Sequence, residues 1–98
     1  MIEKIKKKIF SRLKQNNIDL RFSEEFVKEL KKVKDNNTKI KLYKQILRIV
    51  ENPDVGKPMR YSRKGEQKVY LDSFRLYYKF YPDENVLRIV EFSHKDAQ

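Results

Sequence analysis

A chain of 98 residues with 39% hydrophobic content and six each of Phe and Tyr has material for one modest core and no second one. Twenty-four Lys and Arg against 14 Asp and Glu leave a formal charge of +10, an excess that sits on the surface and attracts a nucleic acid, an anionic membrane or an acidic protein. The absence of cysteine and the single histidine exclude thiol catalysis, disulfides, thiolate zinc and all-histidine metal sites, and no apolar run reaches the roughly 20 residues that cross a bilayer, so the expectation is a soluble, cytoplasmic protein without a membrane partner.

Between Met1 and Gln15, the residues Ile2, Ile5, Ile9 and Leu13 recur at helical spacing among Lys4, Lys6, Lys7, Lys8, Arg12 and Lys14. This predicts a basic amphipathic helix ended by Asn16-Asn17. Its apolar stripe is expected to pack on the domain with the lysines solvated; contact with a membrane surface or a nucleic acid is the alternative. Ile18 to Phe22 alternates apolar and polar residues and predicts a strand. Ser23 is a good N-cap, Glu24 and Glu25 suit the positive end of a helix dipole, and Phe26, Val27, Leu30 and Val33 give a helix to about Lys34. Asp35-Asn36-Asn37 supplies a turn, Thr38 a second cap, and Ile40, Tyr43, Ile46, Leu47 and Val50 the apolar face of another helix that stops before Asn52-Pro53. The two helices read as a hairpin.

Two prolines and Gly56 between Asn52 and Pro58 predict an irregular connection, beyond which the period changes to two. Gln67 to Leu71, Phe74 to Tyr81 and Val86 to Phe92 are rich in aromatic and β-branched residues and joined by short turns, which predicts an antiparallel meander. The expected fold class is therefore α+β, a helix hairpin on a small antiparallel sheet in the order β-α-α-β-β-β. An extra N-terminal helix over residues 1–17 precedes the domain at 18–98.

Alternation then assigns the faces of the sheet. Phe74, Leu76, Tyr78 and Phe80 point to the helices with Val69 and Leu71, and the opposite face receives Lys68, Tyr70, Arg75, Tyr77 and Lys79. Arg60, Arg63 and Lys64 lie just upstream, His94 and Lys95 just past the last strand. Cations that neutralise phosphates, beside rings that stack on splayed bases, suit RNA; solvated strand positions of the same composition are the plainer reading.

Arg21-Phe22-Ser23-Glu24-Glu25-Phe26 leading into a Lys-rich helix, Asn52-Pro53 with Gly56-Lys57-Pro58, Phe74-Arg75-Leu76-Tyr77-Tyr78 and Ser93-His94-Lys95-Asp96 together resemble the RelE/ParE superfamily, the toxins of type II toxin–antitoxin modules. The resemblance covers about residues 18–96. It implies either a metal-independent mRNA endonuclease of the RelE kind, acting in the ribosome, or a gyrase inhibitor of the ParE kind; a non-catalytic RNA-binding relative is a third reading. It also implies an acidic, RelB-like antitoxin that wraps the toxin in a hetero-oligomer, and no cofactor. Arg75 falls on the arginine of the central strand that contacts the scissile phosphate, Lys68 on the first of two lysines in the preceding strand, and His94 on the C-terminal position that supplies a catalytic side chain. Tyr70 stands at the second lysine position, the chain ends at Gln98 without the C-terminal tyrosine of several ribonucleases, and the helix at 1–15 has no counterpart in the minimal fold.

Cleavage of RNA without a metal needs a base for the 2′-hydroxyl, cations for the phosphorane and an acid for the departing 5′-oxygen. Arg75 offers a bidentate fork and Lys68 a point charge, His94 is the natural acid or base, and Tyr70 shares proton transfer or stacks on a base. Glu91 is a further base if its strand turns it to the same face. Arg60, Arg63, Lys64, Tyr77, Lys79 and Lys95 complete the expected RNA-binding set; Glu66 and Asp72 read as turn residues.

Overall fold

The computed structural model describes residues 1–94. Helix α1 spans Ile2–Asn16, strand β1 Asp19–Phe22, helix α2 Glu24–Lys32 and helix α3 Asn36–Glu51; strands β2 (Lys57–Pro58), β3 (Gln67–Leu71), β4 (Phe74–Tyr81) and β5 (Val86–His94) follow. The five strands form one sheet in the order β1-β5-β4-β3-β2. The meander β3-β4-β5 is antiparallel as expected, whereas β1 joins β5 in parallel, and β2 adds a short antiparallel edge next to β3. The connection after α3 is thus more ordered than its prolines suggest. Pro58 is accommodated because an edge strand can leave one amide position unpaired.

Each helix is delimited by its own chemistry. α1 ends on Asn17 in the left-handed conformation (φ 54°), with Ile18 N bonded to Leu13 O at 2.9 Å and Asn17 N to Lys14 O at 3.3 Å, a Schellman closure that asparagine tolerates. α3 begins earlier than Thr38: Asp35 caps it, accepting from Asn37 N at 3.1 Å and from the Thr38 hydroxyl at 2.9 Å. These bonds, Thr38 first, hold the Asp35 carboxyl below the usual carboxylate range.

Helix α3 finds its closest helical partner in α1, while α2 lies along β5. Ile5 and Ile9 of α1 join Phe26, Leu42, Ile46, Ile49, Val50, Leu76, Tyr78, Leu87, Ile89 and Phe92 in one core, and Arg12 of α1 reaches Glu51 of α3 at 3.1 Å. The stripe of α1 is therefore a packing surface, and Lys4, Lys7, Lys8 and Lys14 are left in solvent.

Ser23 performs two tasks. Its buried hydroxyl accepts from Phe26 N at 3.0 Å, capping α2, and donates to the carbonyl of Val90. Val90 is the extra residue of a β-bulge, because Tyr77 pairs with Glu91 whereas Tyr78 pairs with Ile89. Ser23→Ala removes a cap and strands that carbonyl, so a loss of about 2 kcal/mol is expected in urea unfolding. An unchanged midpoint and slope contradict the double role.

The buried Tyr78 hydroxyl ties the connection after α3 to the sheet. It accepts from Gly56 N at 2.8 Å and donates to Pro53 O at 2.7 Å, while Gln67 Nε2 reaches Gly56 O at 3.0 Å. A Cβ at Gly56 would stand 2.6 Å from that hydroxyl, which explains the glycine there. The chain leaves this anchor as β2 and passes into a single 3-10 turn at Tyr61–Arg63 above the sheet face that faces away from the helices.

Candidate functional site

The register sorts the sheet into two faces. Leu76, Tyr78 and Phe80 of β4 turn to the helices with Val69 and Leu71; Arg75, Tyr77 and Lys79 turn away, paired with Tyr70, Lys68 and Arg88 respectively among their neighbours. On the outer face, near the β3–β4 turn, stands Tyr70, 54% exposed, with Lys68 Nζ 4.8 Å and the Arg75 guanidinium carbon 5.9 Å from its ring centroid. Lys57 enters the same neighbourhood because β2 pairs it with Lys68. The hydrogen bond and charge of Lys68, then the charges of Arg75 and Lys57, stabilise the phenolate and pull the Tyr70 pKa below its ordinary 10.0. The face therefore sets two cations beside a phenol whose pKa they lower.

Other expected members are placed differently. Tyr77 points outward but is only 2% exposed, because the Arg63 guanidinium lies over its ring at 3.8 Å. Arg63 in turn is bound by Glu66 at 2.6 Å and by Glu91. Burial works against the Arg63 charge, but the bonds to Glu91 and Glu66 outweigh it and raise its pKa. Tyr77 is thus covered rather than open to a base, and Arg63 spends its charge within the protein. Glu91 does turn to this face, as a partner of Arg63. Arg60 and Lys64 are exposed beside it, and Lys79 lies over the Tyr81 ring at 5.0 Å.

His94 is not part of this cluster. It pairs with Phe74, its ring meets Phe74 edge-on at 5.1 Å, and Phe74 stacks on Phe92 at 4.7 Å toward the helices. The cause is the bulge at Val90: one extra residue shifts the alternation of β5, burying Phe92 and carrying His94 to the face opposite Arg75. His94 shares a shallow depression there with Glu25, Lys28, Glu29, Lys31 and Lys32 of α2. Lys95 lies outside the described residues.

A family model described as "ParE toxin of type II toxin-antitoxin system, parDE" matches residues 20–98. The chain belongs to this toxin family. Its fold is that of solved RelE toxins. The RelBE2 toxin–antitoxin complex of Mycobacterium tuberculosis aligns with a TM-score of 0.69 at 20% identity, over 79% of this chain and 96% of that one. The intact RelBE complex of E. coli aligns at 0.67 and 22% identity, over 79% and 95%. The archaeal RelE–RelB complex of Pyrococcus horikoshii aligns at 0.65 and 11% identity, over 83% and 98%. No curated protein sequence gives a significant match. The toxin is accordingly a type II toxin of the RelE/ParE superfamily, and α1 lies wholly before the matched region.

Two residues of the toxin escaped the reading from sequence. Lys57 falls in the stretch expected to be an irregular connection, and no periodicity singles out Tyr61, which is 91% exposed. The available signal for Tyr61 was an aromatic set among Arg60, Arg63 and Lys64, in a stretch with no apolar period to bury it. Together with Pro58, Met59, Arg60 and Lys68 these two residues line a groove of about 670 Å³ that opens onto the cationic face.

Proposed function

We propose that this toxin is a metal-independent mRNA endonuclease whose scissile phosphate lies on the outer sheet face. The observation that carries the proposal is Tyr70 between Lys68 and Arg75, with its phenol acidified by those cations. The Tyr70 phenolate accepts the proton of the 2′-hydroxyl, whose oxygen attacks phosphorus; the P–O5′ bond breaks as a 2′,3′-cyclic phosphate forms. Arg75 and Lys68 stabilise the charge on the phosphorane oxygens, and the Lys68 ammonium supplies the proton to the departing 5′-oxygen. Exposed Arg60 and Lys64, with half-buried Lys79, follow the backbone on either side.

Because the face is open and His94 stands on the other side of the sheet, the protein orders the phosphate better than it orders the whole strand. Cleavage gains most where another body already holds the strand in an attack geometry, which favours mRNA bound in the ribosome of the cytoplasm as the substrate. The partner in this reading is a RelB-like acidic antitoxin in a toxin–antitoxin hetero-oligomer. Its charge suits the cationic face, and an apolar helix suits the groove among α1, β1, α2 and α3 where Phe10 and Phe22 are exposed.

The remoteness of His94 favours one competing reading, a stoichiometric inhibitor of DNA gyrase that needs no proton-transfer set. Purified toxin is expected to cut mRNA on translating ribosomes and to leave gyrase supercoiling unaffected. Intact mRNA with supercoiling inhibited at stoichiometric toxin transfers the function to gyrase; intact mRNA bound with steep salt dependence reduces it to RNA binding.

A further inference from the structure

Tyr61 is held in a conformation that its side chain does not favour. Its φ is +60°, in the left-handed region where a bulky residue is an outlier, and its ring projects into solvent at 91% exposure. The surrounding turn is well fixed. Lys64 N bonds to Tyr61 O at 3.0 Å, Glu66 N to Arg63 O and Met59 N to Glu66 O at 2.9 Å each, and the Arg63 side chain is clamped over Tyr77 by Glu66 and Glu91. The acidic pair and Arg63 therefore act as a foot that stands the turn on the sheet, and Tyr61 is displayed at its tip.

The groove below this ring carries Lys57, Arg60 and Lys68. Its volume of about 670 Å³ lies in the range of small-molecule sites, and its walls are mixed: Pro58, Met59 and the Tyr61 ring offer apolar surface that suits a base, and the three cations suit the phosphates of a nucleotide. Lys68 belongs both to the groove and to the cluster around Tyr70, so the two are continuous. A strand whose phosphate rests on Arg75 and Lys68 runs directly into the groove.

We propose that the groove is a nucleotide subsite, in which Tyr61 stacks on the base next to the scissile phosphate while Lys57 and Arg60 take the neighbouring phosphate. The proposal rests on the reading of the toxin as an RNA-cleaving enzyme and adds the residue that selects and positions the adjoining base. Stacking tolerates any base and strengthens with ring size, so purines are favoured there.

The test uses short 2′-O-methyl oligoribonucleotides, which bind but lack the attacking hydroxyl, with 2-aminopurine at successive positions. Wild type and Tyr61→Phe are expected to quench the fluorescence at one position. Tyr61→Asn keeps a residue that accepts the left-handed backbone but has no ring, and is expected to lose that quench and about tenfold in affinity, at an unchanged melting temperature. Wild-type quench and affinity in Tyr61→Asn overturn the subsite while leaving the cationic face intact. If the wild type cuts ribosomal mRNA and Tyr61→Asn quenches normally, only the subsite falls; if the wild type neither binds the oligonucleotides nor cuts mRNA, the RNA reading falls and the subsite with it.

Discussion

Replacing Arg75 with alanine is expected to lower mRNA cleavage on the ribosome by about 10²- to 10³-fold, the usual cost of removing one pre-positioned donor from oxygens on which charge develops. Arg75 is the second residue of β4, the middle strand of the sheet with ladder partners on both sides, so its position is fixed by the pairings Tyr70↔Arg75 and Arg75↔Ser93 rather than by a loop. That rigidity places the guanidinium beside Tyr70 before substrate arrives. Arg75→Lys retains the charge but not the fork, and is expected to recover only part of the rate. The measurement is single-turnover cleavage at saturating toxin, with circular dichroism to show that β4 still folds. Wild-type cutting by Arg75→Ala would remove the scissile phosphate from this face. The same substitution is expected to flatten the salt dependence of RNA binding slightly, since one phosphate contact is lost.

Local chemistry made most of the fold readable from sequence. Ser23 with two following glutamates and the Phe26, Leu30 period specify α2 within two residues, because a cap and an amphipathic stripe are both encoded next to the helix they control. The outward positions Lys68, Tyr70 and Arg75 are likewise given by the two-residue period of β3 and β4. What alternation does not encode is partnership. The parallel docking of β1 on β5 depends on how α2 and α3 return the chain across the sheet. The two-residue strand β2 is an edge recruited by the Tyr78 hydroxyl and Gln67 around Gly56, contacts made across about a dozen residues or more.

The misplacement of His94 and the burial of Tyr77 have the same root. A single bulged residue, Val90, reverses the parity of β5; a strict two-residue period carried through Arg88-Ile89-Val90-Glu91-Phe92 misses it, although the adjacent Ile89 and Val90 break the alternation at that point. The reason the bulge is tolerated lies far away in sequence, in the Ser23 hydroxyl that bonds the Val90 carbonyl. Tyr77 was correctly placed on the outer face, yet its cover comes from Arg63, whose own position is set by Glu66 and Glu91. A charge count treats Arg63 as available to a polyanion; its ion pairs withdraw it. The cationic face that remains is smaller than composition implies and is centred on Lys68, Arg75 and Lys57 around one phenol.

That phenol yields the second large expected effect. With Tyr70 as the base, the cleavage rate has a rising limb as the phenol ionises, through a pKa that the hydrogen bond and charge of Lys68, followed by the charges of Arg75 and Lys57, hold below 10.0. Tyr70→Phe keeps the ring but removes the ionisable oxygen, so cleavage is expected to fall by about 10²- to 10⁴-fold, the span of general acid–base contributions, and the rising limb is expected to vanish. Lys68→Ala acts on the same limb by another route. It deletes the largest cause of the lowered pKa, so the phenol ionises closer to its ordinary value and the limb moves to higher pH. Arg75→Ala moves it in the same direction by less, because its charge is the weaker influence. An ultraviolet titration of phenolate in wild type, Lys68→Ala and Arg75→Ala, with Tyr70→Phe to identify the Tyr70 signal, checks the order without turnover. A Tyr70→Phe enzyme that retains the limb assigns proton transfer elsewhere and leaves Tyr70 as a ring between two cations, on which a base can stack.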